Sequence, residues 1–231
     1  MKKYILATIS FIVATAINAQ SLTFKKQEFE LKHVTASIEK VKGKKAIKVE
    51  RDLEALPFDL KNLGSTVDEP TYVKLKNVTL ANGTIEVKLL SRVQANTTFK
   101  GAQGFIGVAF RINDDDSAYE SIYLRPRVGR SDSQFARNRT VQYYAYPDHK
   151  FDVLRNETKK DYETAAPIAL DEWITMRLEI KDKKVKMFLN NEEYATMVID
   201  EMLGSTKEGA IALWVDIGTE GYFRDLKVIQ E

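Results

Sequence analysis

With 231 residues, 35 basic and 33 acidic side chains, a formal net charge of +2 and no cysteine, the chain suits one large all-β domain and carries no disulfide. The opposite charges are interspersed, which excludes the concentrated basic surface of a nucleic-acid binder and leaves no footprint for an anionic membrane. Stability therefore has to come from a packed apolar core.

Taken in chain order, the first element is a leader. Lys2 and Lys3 precede the apolar stretch "YILATISFIVATAI", and small Ala19 follows. This is the pattern of a signal peptide over residues 1–19, cleaved after Ala19, so the mature chain, residues 20–231, is expected as a single domain in the periplasm or outside the cell. The apolar stretch is shorter than the roughly 20 residues that cross a bilayer, and no later segment reads as a membrane span.

Beyond it, short runs of alternating apolar and polar residues predict strands over 28–34, 45–51, 71–78, 84–91, 104–112, 119–126, 141–146, 173–180, 184–190, 193–199, 210–217 and 222–229,. With helical periodicity almost absent, they predict a two-sheet antiparallel jelly-roll sandwich. "KDKK" and "LNNEEY" read as hairpin turns, and "DEMLGS" as one helical turn ended by Gly204,. Residues 127–139 and 147–170 are long connections without a strand pattern, the kind that forms rims and lids.

Side chains alternate across a strand, so each run divides into a core face and an outer face. In "GFIGVAFRI" the core set is Ile106, Val108, Phe110 and Ile112, which leaves Arg111 outside; in "AIALWVDI" Trp214 and Asp216 are left outside. In "YESIYLRP", Tyr119, Tyr123 and Arg125 oppose Ile122 and Leu124, and in "VQYYAY" Gln142 and Tyr144 are placed outward because a buried amide needs several partners,. Brought into one sheet, Arg111, Tyr119, Tyr123, Arg125, Gln142, Tyr144 and Trp214 would offer flat rings for the C–H face of a sugar and paired donors for its hydroxyls. Set against this, tyrosine is a favoured strand residue and a strand arginine often serves only as a cross-strand partner.

Candidates for proton transfer are Asp216, Glu120 and His149. Glu120 is in phase with the core residues Ile122 and Leu124, so it either meets water at a strand end or forms a buried ion pair with a residue such as Arg111 or Arg127, the latter being expected. "NDDDS" would offer the oxygens of Asp114, Asp115 and Asp116 to calcium, but it lacks the spacing of a dedicated calcium loop and reads first as a turn. Two histidines, His33 and His149, are too far apart in sequence to suggest a metal site,.

"GFIGVAFRI", "YESIYLRP", "VQYYAYPD", "FLNN" and "GAIALWVDIGTEGYFRDLKV", in that order, resemble bacterial secreted domains of the concanavalin A-like lectin and glucanase superfamily, close to its laminin-G-like and 3-keto-disaccharide hydrolase groupings. The resemblance implies a curved sandwich that binds or processes an oligo- or polysaccharide on its concave sheet. It leaves open a glycoside hydrolase or 3-keto-glycoside enzyme, and a laminin-G-like protein-interaction module. The Glu-x-Asp-x-Glu run of the glucanases is absent, and the 3-keto grouping implies acid/base chemistry on an oxidised sugar.

Overall fold

In the computed structural model, which describes residues 20–157 and 161–231, the alternating runs assemble into two antiparallel sheets. One has eight strands in the spatial order β1 (Ser21–Phe24), β2 (Gln27–Lys32), β5 (Tyr72–Leu80), β14 (Gly209–Val215), β7 (Ile106–Ile112), β8 (Tyr119–Leu124), β9 (Val141–Tyr146) and β10 (Glu163–Thr164). The other has seven: β13 (Met197–Ile199), β12 (Lys184–Leu189), β11 (Ile174–Lys181), β6 (Gly83–Val93), β15 (Thr219–Gln230), β4 (Lys44–Arg51) and β3 (Val34–Val41). The expected leader, residues 1–19, lies outside the described residues.

The inner faces supply the core. Ile106, Val108, Phe110, Ile122, Leu213 and Val215 of the first sheet meet Ile85, Val87, Leu89, Met176, Leu178 and Phe223 of the second, all buried. This burial of large aliphatic and aromatic side chains is the dominant stabilising term in a chain without disulfides. The result is the jelly-roll sandwich that the alternation predicts.

Three strands exceed the expectation. The run predicted over 28–34 stops at His33, whose φ is 50°, and β3 follows as an edge strand with mostly exposed side chains; an edge strand solvated on one side carries little alternation to read. β1 and the two-residue β10 are short edge pairings as well. "DEMLGS" forms no helical turn. Its backbone N–H groups are taken elsewhere: Leu203 donates to the Tyr143 hydroxyl at 2.6 Å and Gly204 to Glu120 at 2.9 Å.

The long connections carry short helices. Residues 127–139 carry helix α1 (Gln134–Arg137), capped by Ser133, whose hydroxyl accepts from Ala136 N–H,. The stretch after β9 carries helix α2 (Phe151–Glu157). No helix among the described residues is long and apolar enough to cross a membrane.

Candidate functional site

The strand register aligns side chains from six strands in one row across the outer face of the eight-stranded sheet. Tyr72 lies opposite Trp214, Trp214 opposite Gly107, Gly107 opposite Tyr123, Tyr123 opposite Gln142, and Gln142 opposite Glu163. Gly107 is the gap that makes the row work. With no side chain between them, the rings of Trp214 and Tyr123 close over it to a centroid distance of 4.9 Å, and a Cβ there would come within 2.3 Å of the Ile122 carbonyl oxygen and 2.6 Å of Tyr123 Cβ. One step along the strands, Ala109 faces Ser121, and Ser121 faces Tyr144.

The sequence places Tyr119, Tyr123, Gln142, Tyr144 and Trp214 on this face correctly, but most of it is not open. All five are buried, and over Tyr119 and Trp214 the connection between β4 and β5 folds as a roof. Its backbone accepts from the sheet: Trp214 Nε1 donates to the Glu69 carbonyl at 2.8 Å, and the Tyr119 hydroxyl to the Asp68 carbonyl at 3.1 Å. α2 closes on the roof from the other side, with Phe151 N–H donating to Asp68 Oδ2 at 2.9 Å and Lys150 Nζ to the Gly64 carbonyl at 3.1 Å. Alternation reports which residues share a face and is silent on whether a further layer covers it.

Asp216 anchors the roof. Its Oδ1 takes Arg51 Nη1 at 2.7 Å and Ile217 N–H at 2.7 Å, and its Oδ2 takes Asp68 N–H at 3.0 Å. Arg51 in turn donates to the roof carbonyls of Leu56, Pro57 and Thr66. The pair is buried on both sides; burial pushes the Asp216 carboxyl up, against Arg51 and the two backbone donors, which favour its charged form,. As a proton-transfer candidate, Asp216 is thus fully engaged in holding the roof to the sheet.

At one end the roof stops short and leaves a cleft of about 340 Å³. Tyr123, Arg125 and Phe105 form its floor; Phe99 and Gln103 stand on one side, Phe135 and Arg139 of the 127–139 connection on another, and Phe151 and Arg155 of α2 on the third. Arg125 is held rigidly. Nη2 donates to the Tyr123 hydroxyl at 2.6 Å and to Gln142 Oε1 at 3.2 Å, while Nη1 donates to the Arg139 carbonyl at 2.7 Å and to Glu163 Oε1 at 2.8 Å. Glu163 also pairs with Arg155 and Arg139. Although burial opposes it, these cations hold the Glu163 carboxyl below its ordinary range,.

Two carboxyl residues line the cleft, Asp216 and Asp68, and the sequence reading missed Asp68. Burial pushes it up to about 7, and the neighbouring Asp216 charge adds to this, against the Phe151 N–H, Arg125 and Lys150,. Its φ is 55°, a left-handed conformation that aspartate tolerates better than most residues. In sequence "STVDEP" reads as a turn, so the signal was composition alone; only the roof's path over the sheet brings this turn to the cleft.

Arg111, Glu120 and His149 lie elsewhere. A β-bulge at Arg111, whose φ is 53°, turns its side chain off the outer face to donate to the carbonyls of Ala81 and Asp182 at the end of the sandwich,. There it lines a second pocket of about 580 Å³ together with Glu120. The expected ion pair of Glu120 is replaced by hydrogen bonds. Tyr143 donates its hydroxyl at 2.5 Å and Gly204 its N–H at 2.9 Å, Arg127 donates instead to the Ala102 carbonyl, and burial pushes the Glu120 carboxyl up to about 7 against Tyr143, Gly204 and the more distant Arg111. His149 pairs its backbone with Ala145 just past β9 and does not line the cleft.

"NDDDS" makes the turn between β7 and β8, as expected, yet Asp116 is not solvated. Its carboxylate accepts from the Tyr72 hydroxyl and Lys74 Nζ, both at 2.7 Å, and pairs with Lys32. Asp115 is occupied by Ser117. Among the described residues, no group of three or more acidic, histidine or cysteine side chains is placed to hold a metal ion.

In three dimensions the chain is similar to the carbohydrate-binding module CBM66 from Bacillus subtilis, with a TM-score of 0.52 at 10% identity over 85% of this chain and 94% of that one. A Bacillus subtilis protein of unknown function with a galectin-like fold superimposes at a TM-score of 0.46 and 11% identity, over 84% and 87% of the two chains. For a legume lectin-like domain from Entamoeba histolytica the values are 0.42 and 11%, over 92% and 88%. The first likeness shows a shared two-sheet fold. No curated protein matches the sequence. The model of the 3-keto-alpha-glucoside-1,2-lyase-like domain matches residues 74–229, a span that holds the floor and all three sides of the cleft but neither Arg51 nor Asp68. On that match, the chain belongs to the 3-keto-alpha-glucoside-1,2-lyase-like domain family.

Proposed function

We propose that the protein is an exported carbohydrate-active domain that seats a saccharide in the cleft at the Arg125 end of the eight-stranded sheet. The observation that carries this reading is the cleft's composition. The guanidinium groups of Arg139 and Arg155 stand among Phe99, Phe105, Phe135 and Phe151, over a floor that Arg125 and Tyr123 fix, which is what a ring with one apolar face and a polar rim requires. Its volume lies at the small end of the roughly 300–1,000 Å³ typical of ligand sites and suits one or two sugar rings. The leader-like first nineteen residues support export, and the solved Bacillus subtilis module of the same fold is named for carbohydrate binding.

A second reading, proton transfer within that cleft, is favoured by Asp68. Its backbone bonds to Asp216, so two carboxyl groups are neighbours there, and that of Asp68 has its affinity for a proton raised to about 7, near where a general acid/base is most effective. A 1,2-elimination on a 3-keto-glucoside, the chemistry in the family's description, removes the C2 proton acidified by the adjacent C3 ketone. The C2–H electrons form the C1=C2 double bond, and the C1 substituent departs with a proton. Ionised Asp68 would accept the first proton and return one to the leaving oxygen.

The test is a glycan array followed by product analysis on 3-keto-glucosides, comparing the wild type with Asp68→Asn. Asparagine tolerates the left-handed backbone and still accepts from Phe151 N–H. Saccharide binding by both proteins with turnover lost in the variant is expected. Binding with undiminished turnover by Asp68→Asn contradicts the second reading, and no saccharide binding contradicts the first.

A further inference from the structure

The charge around the cleft is lopsided. Across the whole chain basic and acidic residues nearly cancel, but at the mouth of the cleft three guanidinium groups, those of Arg125, Arg139 and Arg155, crowd one carboxylate. Arg125 Nη1 stands 2.8 Å from Glu163 Oε1 and Arg139 Nε 3.5 Å from Oε2, and Arg155 donates Nε to Oε2 at 2.9 Å and Nη2 to Oε1. Glu163 is held ionised, so it offsets one of the three charges.

The neighbouring groups do not offset the other two. Asp216 is cancelled by Arg51, and Lys150 cancels Glu69. Asp68, the remaining carboxyl on the wall, contributes at most one negative charge when ionised. Among the described residues the site thus keeps an excess of at least one positive charge over a desolvated floor, where Coulombic attraction is far stronger than in bulk water. Arg139 and Arg155 are about one third exposed, at 29% and 30% of their side chains, whereas Arg125 is sealed beneath them at 5%. Guanidinium forks match the two oxygens of a planar carboxylate or of a sulfate edge better than a lone hydroxyl.

Resting on the proposed function of this cleft, we infer that its ligand is an acidic saccharide, one whose ring carries a carboxylate or sulfate that meets Arg139 and Arg155 while the sugar's apolar face lies on Phe135 and Phe151. A neutral sugar would leave that charge uncompensated.

The experiment uses the mature chain, a glycan array with uronate, sulfated and neutral oligosaccharides, and calorimetry on each hit. A uronate hit is compared with its methyl ester, which removes the charge and keeps the ring. The expected result is a preference for acidic saccharides, loss of roughly tenfold or more in affinity on esterification or desulfation, and weakening at high salt. Arg139→Gln and Arg155→Gln, both at the exposed rim, should weaken acidic ligands by a similar factor and neutral ones little. Which hits respond separates carboxylate from sulfate. Binding of neutral saccharides that depends on Phe135 but shows no acidic preference overturns this inference and leaves the proposed function standing; no saccharide binding at all overturns both.

Discussion

The backbone N–H of Asp68 donates to Oδ2 of Asp216 at 3.0 Å, so the carboxylate just past β14 positions the residue that carries the cleft's own carboxyl. One Asp is buried to hold the roof, and the other is presented by it. The division follows from partners: Asp216 has Arg51 and two backbone donors, whereas the Asp68 carboxylate accepts from Phe151 N–H.

Replacing Asp216 by asparagine removes the counter-charge of a buried arginine. Breaking a buried pair from one side costs about 3–5 kcal/mol, and Asp216→Asn should lose about that much stability in urea unfolding. Because the roof is tied through the same carboxylate, amide exchange over residues 52–70 should accelerate more than exchange in β6 or β11.

Stability should also depend on pH, with a sign set by burial. Asp68 is raised from 3.8 and Glu120 from 4.5, each to about 7. Below their ordinary values both states hold these protons. As pH rises from there to about 7 the unfolded chain releases them and the folded one retains them, so their contribution falls and levels off above that. Unfolding free energies measured across this window should decline with pH. Asp68→Asn should flatten the decline and be more stable than wild type near neutrality, by up to a few kcal/mol.

The row across the sheet leaves Gly107 no room for a side chain. Gly107→Ala puts a methyl group against the Ile122 carbonyl and the Tyr123 backbone, and overpacking of this kind costs about 1–3 kcal/mol. It should also part the rings of Trp214 and Tyr123, which a shift in tryptophan fluorescence would report.

Trp214 itself is a poor probe of ligand binding. It is buried beneath the roof and hydrogen-bonded to it, so Trp214→Ala should destabilise the fold by about 3–5 kcal/mol. Thermal unfolding of the variant, done before any binding assay, would show this as a large drop in melting temperature.

Much of the fold could be read from the sequence, because a sheet with one face in a core writes its period into every strand: Ile106, Val108 and Phe110, or Ile211, Leu213 and Val215, announce their side. Even the outer-face row of Tyr123, Gln142 and Trp214 was legible from alternation. What covers that row was not, since the roof between β4 and β5 has no period and its ties are backbone carbonyls, as at Glu69 and Asp68, which any residue supplies. The bulge at Arg111 was hidden for a related reason: one extra residue inverts a side chain's direction without altering composition. Glu120 did stand out as a polar residue in core phase, yet its partners, the Tyr143 hydroxyl and Gly204 N–H, come from 23 and 84 residues away.

The central claim, a saccharide in the cleft at the Arg125 end, is tested most directly at Phe135. This residue lines the cleft, is 69% exposed and stacks beneath the Arg139 guanidinium at 3.6 Å, so its truncation should leave stability within about 0.5 kcal/mol of wild type. The measurement is calorimetric affinity for the best array saccharide, comparing wild type, Phe135→Ala and Tyr194→Ala, the last an exposed ring in the turn between β12 and β13. The account predicts affinity roughly tenfold weaker for Phe135→Ala and unchanged for Tyr194→Ala. Equal affinity for wild type and a folded Phe135→Ala would contradict it.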